Sequence, residues 1–136
     1  TILNCAATDC LLNKVTTESG LLCNICEDGT IQNCYIKAKT GASYSHLHPI
    51  CLTTRGNTLL RCCYYSSGFT RDPIGSPNEA LQSDSIIRYG SITEEKELLP
   101  KILNQWILDS GKRLFPHLTF CLWEKGETLP AILVSP

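Results

Sequence analysis

Nine cysteines stand at Cys5, Cys10, Cys23, Cys26, Cys34, Cys51, Cys62, Cys63 and Cys121, eight of them in the first half of the chain. Thiols at this density do one of two things: they pair oxidatively into bridges that replace core area, or they hold zinc. Only Cys23-Asn24-Ile25-Cys26 has chelating spacing, and its best second half is His46, His48 and Cys51. A further ligand pair is missing, because Cys62 and Cys63 are adjacent and in an extended segment point to opposite faces. The pattern therefore favours disulfides over an intracellular zinc-binding interaction module, with eight cysteines paired into four bridges and the connectivity open. The odd thiol is then free, capped, or used to link a second copy into a dimer. Cys121 either bridges back to Cys62 and Cys63 or lies as a thiol in a core strand. Cys-x-x-Cys is also a redox signature, but there it opens a helix, whereas Glu27-Asp28-Gly29 reads as a turn. No metal and no cofactor is expected.

The histidines offer a second chemistry. His46, His48 and His117 contain the parts of a general acid-base pair, as a small secreted nuclease-like hydrolase would use. His46-Leu47-His48 puts two rings on one face of a strand. Yet the chain has no nucleophile elbow, no phosphate-cradling glycine loop and no His-Glu-x-x-His. The residues favour binding over catalysis.

A binding surface is suggested by charge. From Gly29 to Arg71 there are five bases, Lys37, Lys39, Arg55, Arg61 and Arg71, and no acid, while the segments on either side each carry a net −3. Tyr44, His46 and His48 lie among these bases. Cations supply attraction and aromatic rings desolvated contact, so these eight residues form the candidate contact set for a protein partner with an acidic surface or for a sulfated glycan. The competing account is that the bases neutralise the acidic flanks after folding. With an overall charge of −1, nucleic acid is not the expected partner.

The elements that must position these groups can be read next. A chain of 136 residues, 43% apolar and 18% charged, is long enough for one sizeable core, and no apolar run reaches the length of a membrane span. Thr1 opens the sequence and methionine is absent, as in a secreted polypeptide whose signal peptide was removed. No Asn-x-Ser/Thr triplet occurs, so no asparagine-linked glycan is expected.

The spacing predicts a single α+β domain in three parts. A disulfide-stapled, β-rich part covers 1–65, with strands over 31–37 and 58–65 and a hairpin that turns at Arg55-Gly56-Asn57 onto 50–54. A long loop covers 66–90, interrupted by a short helix over 77–82 behind the capping box Ser76-Pro77-Asn78-Glu79, with a return strand over 85–89. The last part, 91–136, holds the main amphipathic helix over about 92–109 and a C-terminal hairpin of 118–124 with 129–135. The helix starts at the capping box Ser91-Ile92-Thr93-Glu94, buries Leu98, Leu99, Ile102, Leu103, Trp106 and Ile107, and is either kinked or restarted at Pro100. No internal repeat is evident. The expected function is noncatalytic recognition of a protein partner by a secreted effector, a ligand, or the receptor-binding part of a surface protein, through loops displayed on a stapled scaffold.

Overall fold

The computed structural model describes residues 1–8, 17–39, 44–89, 92–127 and 132–134. Cys10, Ser91 and residues 129–131 of the expected hairpin lie outside them. The chain forms two compact units, Thr1–Arg88 and Tyr89–Pro136.

In the N-terminal unit the strands run β1 (Ile2–Leu3), β2 (Ala6–Thr8), β3 (Ser19–Gly20), β4 (Cys23–Glu27), β5 (Thr30–Lys37), β6 (Leu47–His48), β7 (Cys51–Arg55), β8 (Leu59–Ser66), β9 (Ile74–Ser76) and β10 (Gln82–Tyr89). The pairings β1 and β2 with β5, β5 with β8, β4 with β7, β7 with β9 and β3 with β6 are all parallel. The sheets are ordered β1-β5-β8-β10 and β4-β7-β9, with β3-β6 as a third ladder. The N-terminal unit is thus a coil of stacked turns, each strand pairing with its counterpart one turn on rather than with its sequence neighbour.

That architecture corrects three expectations. The sequence does contain a structural repeat: Ile2 faces Ile31 and Ile31 faces Leu60, two steps of 29 residues. Cys23 faces Cys51 at a step of 28, but Cys51 faces Ile74 at only 23. A period that changes between turns, at positions alike only in burial, leaves no strict sequence spacing. Arg55-Gly56-Asn57 does not close a hairpin; it is a corner between β7 and β8, which belong to different sheets. No helix forms over 77–82 either. Asn78 is held to the preceding turn, its backbone N–H donating to Thr54 Oγ1 at 3.0 Å and its side-chain N–H to the Gly56 carbonyl at 2.9 Å, and the chain re-enters a strand at Gln82. Cross-turn bonds outcompete the local capping box.

Stacking imposes column rules. Asn4, Asn33, Cys62 and Ser85 all have φ between 52° and 55°, a left-handed kink where asparagine is favoured over most residues. Asn33 Nδ2 donates to Asn4 Oδ1 at 2.8 Å, a buried amide bond between turns. At the corner, Asp28 and Gly56 stack, both with positive φ. Asp28 Oδ1 accepts the Asn57 N–H at 2.8 Å, and Thr58 Oγ1 donates to the carbonyls of Cys26 and Arg55. The interior is filled by Cys26, Ile31, Cys34, Ile36, Leu47, Ile50, Cys51, Leu60, Cys63 and Phe69.

The C-terminal unit is built on α1 (Ile92–Trp106), which continues into a π-helical turn, Ile107–Gly111, and α2 (Lys112–Leu114), then β11 (Leu122–Glu124) paired antiparallel with β12 (Ile132–Val134). Pro100 lies inside α1 without ending it. Leu99, Leu103, Trp106 and Ile107 are buried as the periodicity requires, whereas Ile102 is half-buried and Leu98 is 45% exposed. The wide π turn places Gly111 where a Cβ would sit 2.8 Å from the Trp106 ring and 3.2 Å from Phe120, so glycine permits the edge-on packing of those rings at 5.6 Å. Asn104 docks the helix on β11 by donating to the Trp123 carbonyl at 2.9 Å and accepting its N–H at 2.8 Å.

Two stability predictions follow from this packing. Trp106→Ala should cost about 3 kcal/mol in urea unfolding, since a buried ring is removed. Gly56→Ala should cost about 1–3 kcal/mol, because Gly56 has φ +61° and a Cβ there would press on Asp28 Oδ1 at 2.1 Å. An unchanged unfolding midpoint in either variant would refute the corresponding contact.

Candidate functional site

The eight residues of the basic segment do not share one surface role. Lys37 is 5% exposed and donates to the Ala38 carbonyl at 3.2 Å. Arg61 is clamped by Asp84, Nε to Oδ2 at 2.8 Å, and Arg71 by Glu18, Nη2 to Oε1 at 3.0 Å. Both acids come from outside the segment, which is how bases that neutralise the flanks behave. Tyr44 packs against Phe69 with ring centroids 5.4 Å apart, and its hydroxyl accepts the Lys39 N–H. Lys39 and Arg55 are exposed. They are the two bases of the set facing solvent with no ion pair among the described residues.

The histidines are separated in role as well. His48 is 5% exposed, and its Nδ1 lies 2.6 Å from the Asp72 carbonyl, which fixes the proton on that nitrogen in the neutral ring. Its Nε2 points toward Glu18 Oε2 at 3.9 Å, too far for a hydrogen bond. His46 is half-buried in the bend before β6. His48 thus pins the 68–73 loop to the strand below, with Arg71 and Glu18 closing the same clasp.

The cysteines are ordered by the coil rather than joined by bridges. Cys5, Cys23, Cys26, Cys34, Cys51, Cys62, Cys63 and Cys121 are all thiols, which departs from the expected stapling. Cys34 faces Cys63 in register, and Cys5 falls on the same column, with its carbonyl accepting the Tyr35 N–H at 2.9 Å. In each turn the thiol donates to the carbonyl two residues back: Cys5 to Leu3, Cys34 to Gln32, Cys63 to Arg61. Cys23 over Cys51 makes a second column, with Cys26 beside it. Among the described residues no group of three or more His, Cys, Asp or Glu could hold a metal ion. Cys62, at the left-handed kink, is half-buried and lies outside the core cluster that Cys63 enters.

Close stacking holds these thiols protonated. The Cys5 thiol is pushed up first by its hydrogen bond to Cys34, then by burial. For Cys34 the bond from Cys5 lowers the value, but Cys63 and burial outweigh it and carry the thiol up to about 12. Burial, then the charge that Cys23 would carry, raises Cys51 to about 12. None is primed as a nucleophile at neutral pH.

The C-terminal unit holds a feature that the sequence reading did not single out. A groove of about 450 Å³ is lined by Ile107, Lys112, Pro116, Leu118, Phe120 and Leu122. Leu118 and Leu122 are 42% and 43% exposed, and Leu108 and Leu114 are 58% and 40% exposed on the helical segments that precede it. Lys112 and Arg113 are the exposed cations beside these leucines. The available signal was the apolar alternation Leu118, Phe120, Leu122, which reads as strand, and Leu108 and Leu114 off the helix stripe.

Raised thiols make a pH prediction with a definite sign. Cys34 and Cys51 titrate near 12 in the folded chain and near 9 once exposed, so folding loses support as pH climbs from about 9 to about 12, where only the unfolded chain releases these protons. Urea unfolding under reducing conditions should show stability level from pH 7 to 8.5 and falling above 9. A profile flat to pH 11 would contradict the buried columns.

The chain matches no known protein-family model, no curated protein and no solved structure, so its function has to come from its own residues.

Proposed function

We propose that this chain is a noncatalytic, extracellular recognition module that takes a protein partner, with contact centred on the leucine-lined groove of the C-terminal unit. One observation carries the reading: six leucines among the described residues stand 40–58% exposed in a unit of 48 residues, two of them, Leu118 and Leu122, opening into a groove with Lys112 on its wall. Solvent-facing apolar residues gathered around a groove mark interaction surfaces, and adjacent cations set the preference for a partner with an acidic rim. The groove lies within the 300–1,000 Å³ range that accepts a side-chain anchor or a small ligand (about that range in general). Lys39 and Arg55 are the exposed bases of the other unit and serve as the secondary contact. The extracellular setting rests on the cysteine count of the sequence alone, and requires that stacked pairs such as Cys23 with Cys51, which are thiols in this structure, become bridged there.

The hydrolase reading has less behind it. His48 is 5% exposed and bound to a backbone carbonyl, which leaves its ring little access to a substrate.

The experiment compares the parent with Leu118→Glu/Leu122→Glu, Lys112→Glu and Lys39→Glu/Arg55→Glu variants. Anilinonaphthalene sulfonate, an apolar aromatic anion, probes the groove, and a panel of purified extracellular proteins is tested at low and physiological ionic strength. The double leucine variant should lose both dye and partner binding with its melting temperature kept; the Lys112 variant should weaken both by about tenfold and flatten the salt dependence. Partner binding unaffected by the leucine pair would refute the groove. Turnover of RNA, ester or glycoside substrates that vanishes in His46→Ala or His48→Ala would refute the noncatalytic reading.

A further inference from the structure

The Cys5, Cys34 and Cys63 column differs from an ordinary set of core thiols in one respect: its members are graded in access. Cys5 is exposed at the outermost turn, while Cys34 and Cys63 beneath it are fully buried. Neighbouring parallel strands place in-register Cα atoms roughly 4.8 Å apart, within the roughly 4.4–6.8 Å over which a disulfide spans. Cys5 sits beside Cys34 where β2 pairs with β5, and Cys34 faces Cys63 where β5 pairs with β8, so each thiol has the next one as its neighbour along the row. Three thiols in a row can close only one bridge, and solvent reaches the row from the Cys5 end.

We infer that Cys5 is an exchange site for low-molecular-weight disulfides and that Cys34 resolves the adduct, locking the first turn of the coil to the second. In the first step the Cys5 thiolate attacks one sulfur of the small disulfide, its proton having gone to solvent; the S–S bond of the reagent breaks and one small thiol leaves. In the second, Cys34, deprotonated in turn, attacks Cys5 Sγ and expels the other small thiol, leaving a Cys5–Cys34 bond. Two protein thiols are oxidised and one small disulfide is reduced to two thiols. Cys63 stays a thiol, stacked beneath the new bond. The bridge crosses β1–β2 to β5, the outer edge of the sheet, where a strand paired on one side only is held least firmly. Because Cys5 is held protonated by its bond to Cys34, the reaction is slow at neutral pH and quickens as pH rises. This inference stands apart from the groove and its partner, since it involves no residue of the C-terminal unit.

The test uses the intact, reduced protein with oxidised glutathione, followed by peptide mapping without reduction. The parent should yield a Cys5–Cys34 cross-link with Cys63 still alkylatable after denaturation, and the initial rate should climb about tenfold per pH unit between pH 7 and 9. Cys34→Ser should stop at a stable glutathione adduct on Cys5. Cys5→Ser alters only an exposed side chain, so it decides the matter even if Cys34→Ser fails to fold: its Cys34 and Cys63 should remain unmodified until denaturant is added. A Cys34–Cys63 cross-link, a Cys5 adduct that persists in the parent, a rate independent of pH, or oxidation of Cys34 in the Cys5→Ser protein would each overturn it.

Discussion

Parallel, in-register stacking is the constraint on which the N-terminal unit rests. Once β5 lies beside β8, every side chain must tolerate its counterpart from the next turn at strand spacing, and the columns show how it is met. Ile2, Ile31 and Leu60 stack as aliphatic surface, Asn4 and Asn33 as a bonded amide pair, and Cys5, Cys34 and Cys63 as donors to their own backbone. The core cluster is accordingly apolar and thiol, and the polar residues buried outside it, among them Asn33, Lys37 and His48, each have a hydrogen-bond partner. A small sulfur is well suited to this position, since it packs as a hydrophobe and asks for only a weak acceptor.

The corners carry the remaining burden. Parallel neighbours cannot be joined by a tight hairpin, so the chain turns from one sheet to the next, and each corner leaves backbone groups that the ladders do not satisfy. Here Asp28, Thr54, Thr58 and Asn78 satisfy them with short side chains, and Gly56 supplies the left-handed conformation without a Cβ. The same logic explains His48. Its buried ring serves the 68–73 loop through a carbonyl, and its burial withdraws it from solution chemistry.

Function follows from what such a scaffold leaves outside. The coil draws Lys37, His48 and most of its thiols inward and pairs Arg61 and Arg71 with acids. The C-terminal unit does the opposite, exposing leucines around a groove beside two cations. The proposed recognition is for this reason centred on the second unit rather than on the acid-free segment.

Local patterns in the sequence determined the strands over 31–37 and 58–65, the buried stripe of the main helix apart from Leu98 and, over Leu122–Glu124 and Ile132–Val134 but not 118–121, the C-terminal strand pair, because alternation and 3.6-residue periodicity are written in consecutive residues. Charge counting likewise exposed the acid-free segment, along with the alternative that its bases offset the flanks, which the Arg61 and Arg71 pairs support. What only the tertiary structure decided is every relation between turns. Steps of 29, 28 and 23 residues place Ile2 on Ile31, Cys23 on Cys51 and Cys51 on Ile74, and no local window spans them. The capping box at Ser76 failed for the same reason, since Thr54, 24 residues earlier, holds the Asn78 backbone more favourably than a two-turn helix would. Cysteine spacing suggested covalent staples, and stacking turned it into columns of thiols: a column depends on which residues become neighbours across turns, a property of the packed chain and not of any stretch of it.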